Sequence, residues 1–185
     1  MLPLHFQRAL EALDAGGVIA YPTEAVWGLG CDPFDAEAVE RILYLKQRPV
    51  EKGLIVVAAS GEQVAALVEP LTSHQKSMLR ETWPGPTTWL LPDPDQCFPS
   101  WVRGNFSSVA VRVSAHPLVR KLCLAYGGPL ISTSANPSTL PPARSRIRVE
   151  KWFGREVDYV LPGRLGGNPR PSTIRDINNG EAIRL

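Results

Sequence analysis

At 185 residues the chain is long enough for one domain with a sizeable core and too short for two comfortable ones. Its 44% hydrophobic and 21% charged residues are those of a soluble globular protein, and a net charge of +2 is too small to declare a nucleic-acid binder. The longest apolar run, Leu54 to Ala59, is far too short to span a membrane, and the stretch from Met1 to His5 lacks the charged and apolar regions of a signal peptide.

The hydrophobic pattern alternates between strand-like runs and helical periodicity, which predicts an α/β domain over residues 1–185 with a twisted mixed parallel/antiparallel sheet, flanking helices and a concave basic cavity. Val18 to Tyr21 reads as a first strand, stopped by Pro22. Asp35 caps a helix that runs to Lys46 and buries Val39, Ile42 and Leu43. Gly53 to Ala58 reads as a short buried strand. Ser60 with Gln63, and Thr72 with Gln75, have capping-box spacing and predict two further helices, the second ending before Pro84.

Two more strands are expected at Thr87–Leu91 and Val109–Val113. Alternation in the latter puts Val109, Val111 and Val113 on one face and throws Arg112 onto the other. Pro117 suits the first turn of a helix that Gly127 closes, with Leu118, Leu122 and Tyr126 on its apolar face. Leu130 to Ser132 reads as a strand that empties into a Ser-rich loop. Asn179-Gly180 signals a type I′ hairpin joining Ile174–Ile177 to Ala182–Leu185. Loops are expected at 92–107 and 162–172, both rich in Pro and Gly.

Three cysteines, Cys31, Cys97 and Cys123, are an odd number without Cys-x-x-Cys spacing, which argues against a disulfide framework and predicts a cytoplasmic location. Charge is uneven along the chain. Residues 1–138 are net acidic and residues 139–185 net basic, so the C-terminal quarter could attract phosphates or RNA, or could simply be a solvated surface.

Chemistry-bearing residues gather in short stretches beside turns. Lys46 and Arg48 bracket a helix C-terminus, with Pro49 preventing continuation and Lys52 adding a third cation before a buried strand. They complete a helix dipole or clamp a phosphate. Arg112 lies mid-strand, where a half-buried guanidinium needs a carboxylate or phosphate partner. Thr23 and Glu24 follow a strand end, the place where ligands collect in open α/β sheets. Glu24 is either an exposed turn carboxylate or the orienter of a lysine or a metal. Ser132, Ser134 and Asn136 make a hydroxyl-rich loop that also suits local turn capping. Thr87 and Ser172 are weaker members of the same set. The chain has no P-loop, no dinucleotide fingerprint (position 33 is Pro) and no clustered histidines for zinc.

Taken together, Tyr21-Pro22-Thr23-Glu24, Lys46-x-Arg48, Trp83-Pro84-Gly85-Pro86-Thr87, the strand bearing Arg112, and Ser132-Thr133-Ser134-Ala135-Asn136 resemble the YrdC-like family of threonylcarbamoyl-AMP synthases from about Val18 to Ile174. The resemblance implies the short, single-domain form of that family. It implies synthesis of threonylcarbamoyl-AMP from L-threonine, bicarbonate or CO2, and ATP with Mg²⁺, releasing pyrophosphate, the first step in modifying tRNA position 37. It assigns Thr23, Lys52, Arg112 and Ser132 to threonine, and Lys46, Arg48, Thr87, Ser134, Asn136 and Ser172 to ATP. Alignment falls to Lys46, Arg48, Lys52 and Arg112, without an obligate protein nucleophile and with no metal ligand assured from side chains.

Partners implied are the other proteins of the tRNA threonylcarbamoylation pathway, weak RNA contact, and no membrane. Two rival functions fit the same cavity: an RNA-binding module without chemistry, and a carbamoyltransferase-type maturation domain. The chain departs from the family pattern at Ala25, Gly53 and Thr139. It also lacks the C-terminal extension of longer relatives, so closing the site is expected to fall to segment 162–173.

Overall fold

The computed structural model of the chain describes residues 2–184. It opens with a helix that the sequence reading did not register, α1 (Leu4–Asp14), whose Phe6, Ala9 and Leu13 are buried. Two short strands follow, β1 (Ile19–Pro22) and β2 (Trp27–Gly30), paired antiparallel from Ile19↔Gly30 to Pro22↔Trp27. Pro22 is therefore the last residue of its strand, and Gly28-Leu29-Gly30 lies in β2. Helix α2 (Ala36–Lys46) starts as expected, with Asp35 accepting from the Ala38 amide, and ends on Gln47 in the left-handed region.

After a 3₁₀ turn at Val50–Lys52 comes β3 (Ile55–Ala58). Between them Gly53 has φ +59°, a left-handed conformation that favours glycine, so the departure from the family pattern at this position goes with the shape of the turn. The Ser60–Gln63 capping box does not form. Gly61–Val64 is a 3₁₀ turn that leads into a single helical turn, α3 (Ala65–Val68), while Gln63 accepts from the Ala59 amide and donates to the Cys123 carbonyl. Its side chain is spent joining β3 to a helix. The Thr72–Gln75 box does form, and opens α4 (Ser73–Thr82).

The chain continues through β4 (Thr87–Pro92), a short α5 (Ser100–Arg103) inside the segment expected to be loop, and β5 (Ser108–Val113). Helix α6 (Pro117–Tyr126) begins at its proline and is closed by Gly127 at φ +86°. Its buried residues are Val119, Leu122 and Cys123, with Leu118 and Tyr126 only partly covered, a rotation of the expected face. Then come β6 (Leu130–Ile131), β7 (Thr133–Ser134), α7 (Arg146–Phe153), β8 (Tyr159–Val160), β9 (Thr173–Asp176) and β10 (Ala182–Arg184). The last two form the expected hairpin, but its turn is not type I′. Gly180 has positive φ and Asn179 does not, and the Gly180 amide reaches back to the Asp176 carbonyl, so the loop is wider than two residues. Leu185 lies outside the described residues.

The strands form two mixed sheets where the sequence suggested one. Four strands run in the order β7-β2-β1-β8, and six in the order β10-β9-β4-β5-β3-β6. β6 belongs to the larger sheet and β7 to the smaller, so the chain crosses between them at Ser132. The crossing is pinned on both sides. The Ser132 amide donates to the Ile55 carbonyl, the Ile131 amide to the Cys31 carbonyl, and the buried Tyr21 hydroxyl to the Ile131 carbonyl at 3.0 Å. Gly30 allows this approach, since a Cβ there would lie 2.3 Å from the Ile131 oxygen.

Candidate active site

A cavity of about 190 Å³ opens at this seam between the sheets. Its walls carry Thr23 and Glu24 from the end of β1, Gly28 from β2, Arg112 from β5, and Ser132 and Ser134 at the crossing. Arg48 closes one side. Asn168, Arg170 and Ser172, from the segment before β9, close the other. That segment is tied down by backbone hydrogen bonds from Gly166 to Thr23 and from Asn168 to Glu24, so the 162–172 loop does form a wall of the cavity.

The sequence and the fold together explain the burial of Arg112. Val109, Val111 and Val113 fill one face of β5, which leaves the guanidinium on the cavity side, 7% exposed. There Nη1 donates to Glu24 Oε2 at 3.0 Å, and the Ser114 hydroxyl donates to the other carboxylate oxygen at 2.7 Å. Ser114 is two positions after Arg112, hence on the same face. Burial pushes the Glu24 carboxyl up. The Arg112 guanidinium and then the Ser114 hydroxyl outweigh that, and the net is a carboxylate held below its usual range. Glu24 is thus neither an exposed turn residue nor a partner of lysine: it orients an arginine.

Two buried side-chain nitrogens lack a hydrogen-bond partner among the described residues, Arg112 Nε and His116 Nδ1. A buried guanidinium nitrogen without a partner is costly, and its position beside a cavity invites an anionic ligand. His116 takes part through its other nitrogen, 3.0 Å from the Arg164 carbonyl, and through its amide, which donates to the Ser114 hydroxyl. It thereby links the Glu24 pair to the 162–172 wall.

Hydroxyls around the cavity are held in place. Thr23 donates to the Val26 carbonyl at 2.7 Å, which leaves its lone pairs available to a ligand, and Thr88 donates to the Ser172 hydroxyl at 2.9 Å. Lys46 is different. It is buried behind the Ser-rich strand and gives its ammonium to the carbonyls of Ser134 and Asn136 and to Asn136 Oδ1. Desolvation and then the charge of Arg48 lower its pKa to about 8. Asn136 spends its remaining groups on Ser134, Pro137 and Leu140. These two residues buttress the wall and do not line it.

Lys52 is exposed, and Thr87 serves through its carbonyl, which accepts from the Trp83 indole. Neither lines the cavity. The cavity thus collects Thr23, Arg48, Arg112, Ser132, Ser134 and Ser172 of the expected set. Sequence reasoning missed Ser114, His116, Asn168 and Arg170 as site residues. Period-two alternation from Arg112 would have found Ser114. Nothing local marks the others.

The family model described as telomere recombination (Sua5/YciO/YrdC) matches residues 11–185, and the chain belongs to that family. Among its curated relatives, a protein named threonylcarbamoyl-AMP synthase from Marinobacter nauticus is 58% identical over 181 residues, covering 98% of this chain and 95% of the relative. A protein of the same name from Pseudomonas aeruginosa PAO1 is 57% identical over 178 residues, covering 96% and 95%. Among solved structures, P. abyssi Sua5 complexed with L-threonine superposes with a TM-score of 0.88 at 31% identity, over 97% of this chain and 53% of that one, so the chain spans about half the length of that protein. E. coli YciO, at 23% identity and a TM-score of 0.84, covering 100% and 90%, shares the fold.

Proposed function

We propose that the chain is an L-threonylcarbamoyladenylate synthase, a nucleotidyltransferase that joins L-threonine, bicarbonate or CO2, and ATP, and releases pyrophosphate. The observation that carries this reading is the pocket-facing, partly unpartnered guanidinium of Arg112, held by Glu24, which Ser114 holds in turn, among positioned hydroxyls. Relatives of that name at 54–58% identity over nearly the whole chain support it.

In this reading the threonine carboxylate meets the edge of the Arg112 guanidinium that Glu24 leaves open, and Thr23 and Ser132 hold the amino group and side chain. The neutral amine attacks CO2 and loses a proton, giving a carbamate. A carbamate oxygen then attacks the α-phosphorus as its bond to the β-phosphate oxygen breaks, and that oxygen leaves with the electron pair as pyrophosphate. Several anions must be brought together, so fixed cations and prepositioned hydroxyls do most of the work. Arg48 and Arg170 supply charge at the mouth, where Ser134 and Ser172 orient the nucleotide.

At about 190 Å³ the cavity is below the roughly 300–1,000 Å³ of typical ligand pockets, so ATP lies partly in the open mouth with the amino acid deeper. Both oxygens of Glu24, the one carboxylate of the lining among the described residues, are already engaged, so the Mg²⁺ of this reaction enters on the phosphates of ATP. The product would feed the tRNA position 37 modification in the cytoplasm, handed to other proteins of that pathway.

The test is pyrophosphate release by the purified chain with ATP, Mg²⁺, threonine and bicarbonate. Release must depend on threonine. Equal release without it would remove the assignment.

A further inference from the structure

A second cavity, of about 430 Å³, shares no lining residue with the first. It lies beyond the carboxyl ends of β3 and β5, which run parallel from Ile55↔Ala110 to Ala58↔Val113, the position where ligands settle in α/β sheets. Its apolar walls are Ala59, Val68, Leu79, Trp83, Pro84 and Val113. The Trp83 ring is preset, because its indole N–H donates to the Thr87 carbonyl at 2.9 Å. Three cations stand around the apolar floor: Lys76 and Arg80 on one side and Arg120 on the other. Among the described residues the lining includes no carboxylate and none of the three cations is in an ion pair. Lys76 donates only to a carbonyl, that of Glu69.

Preset aromatic and aliphatic walls ringed by uncompensated positive charge are complementary to one kind of molecule: a flat apolar body that carries an anionic group. The volume suits a ligand of one or two fused rings and not a nucleic acid or a folded partner. We propose that this cavity is a second ligand site, for a small aromatic acid whose rings lie against Trp83, Leu79 and Val113 and whose carboxylate, sulfonate or phosphate is held by Arg80 and Arg120. Gly61 offers a way to close it. The glycine lines the cavity, has no atom within 4 Å of an added Cβ, and does not sit in the left-handed region, so a larger side chain can be placed at the cavity wall without a clash at its Cβ.

The probe is 8-anilinonaphthalene-1-sulfonate, titrated by fluorescence into the native 185-residue chain, with the uncharged N-phenyl-1-naphthylamine as control. Expected are one saturable site for the sulfonate, at least tenfold weaker binding of the neutral amine, and no displacement of the sulfonate by ATP or threonine. Arg120→Ala and Arg80→Ala should each weaken sulfonate binding about 10-fold, the effect of losing one charge-assisted hydrogen bond. Gly61→Leu should abolish it. Circular dichroism and threonine-dependent pyrophosphate release should stay at wild-type levels in all three variants. Displacement by ATP or threonine, equal binding of the neutral amine, or unchanged binding in both arginine variants would overturn the proposal, the last even if Gly61→Leu failed to fold.

Discussion

Arg112 and Glu24, 88 positions apart in sequence, meet at 3.0 Å with both side chains 8% exposed. A pair this deeply buried is costly to break from one side, about 3–5 kcal/mol, because the remaining charge stays unpaired. Arg112→Ala should therefore lower stability by about that amount in urea unfolding and abolish threonine binding as well. The double change Arg112→Met with Glu24→Gln separates the two effects: stability should largely return, while threonine binding measured by calorimetry stays lost. Recovery of binding in the double variant would show that the guanidinium is not the carboxylate receptor.

The same pair sets an acid limit. Because the folded-state pKa of Glu24 lies below its unfolded value of 4.5, the unfolded chain binds the proton more readily, and the stabilisation is present above about pH 4.5 and fades as pH falls below it. Glu24→Gln should flatten the stability profile in that range relative to wild type. Parallel profiles for the two proteins would contradict the pairing.

Lys46 predicts a second rise of stability with pH, this one at high pH. Burial lowers its pKa from 10.5 to about 8, so the cost of holding the buried charge is complete below pH 8 and is relieved as pH rises toward 10.5. Wild-type stability should therefore gain relative to Lys46→Met between about pH 8 and pH 10.5. Chemical unfolding at pH 7.5 and pH 10 reads the difference, in which other groups cancel. A constant gap would mean the ammonium is not desolvated.

Two glycines on one strand should behave differently. A Cβ on Gly30 would sit 2.3 Å from the Ile131 carbonyl oxygen and 2.7 Å from the Tyr21 ring, so Gly30→Ala should cost several kcal/mol and depress the melting temperature sharply. A Cβ on Gly28 would lie 3.3 Å from the Thr23 methyl and 3.6 Å from the Ser132 hydroxyl, space that belongs to the cavity. Gly28→Ala should shift the melting temperature little yet weaken threonine binding at least 10-fold. Unaltered threonine affinity would place the amino acid elsewhere.

Arg48 donates to the carbonyls of Gly53 and Lys52 while lining the cavity mouth. Arg48→Ala should raise the ATP dissociation constant about 10-fold or more and suppress pyrophosphate release, with threonine affinity nearly unchanged. Loss of RNA binding with ATP turnover intact would instead favour the RNA-module reading of this cation.

The sequence by itself determined what local rules govern. The Asp35 cap and its helix, the Thr72–Gln75 capping box, Pro117 and Gly127 at the two ends of α6, and the face of β5 that carries Arg112 all follow from interactions within a few residues or from strand alternation. The motif set also pointed to Thr23, Arg48, Arg112, Ser132, Ser134 and Ser172 of the cavity lining, because a strand end and a hydroxyl-rich loop are local signals. Only the tertiary structure decided that there are two sheets, that Ser132 is the crossing between them, and that Glu24 faces Arg112. Those depend on contacts between residues more than 80 positions apart, such as Tyr21 with Ile131, Lys46 with Asn136 and Arg112 with Glu24. Lys46 shows the limit most clearly. Its charge and motif suggested a ligand contact, and packing turned its ammonium onto backbone carbonyls behind the wall. Which neighbour satisfies a buried charge is settled by the packed three-dimensional arrangement, and no local pattern encodes it.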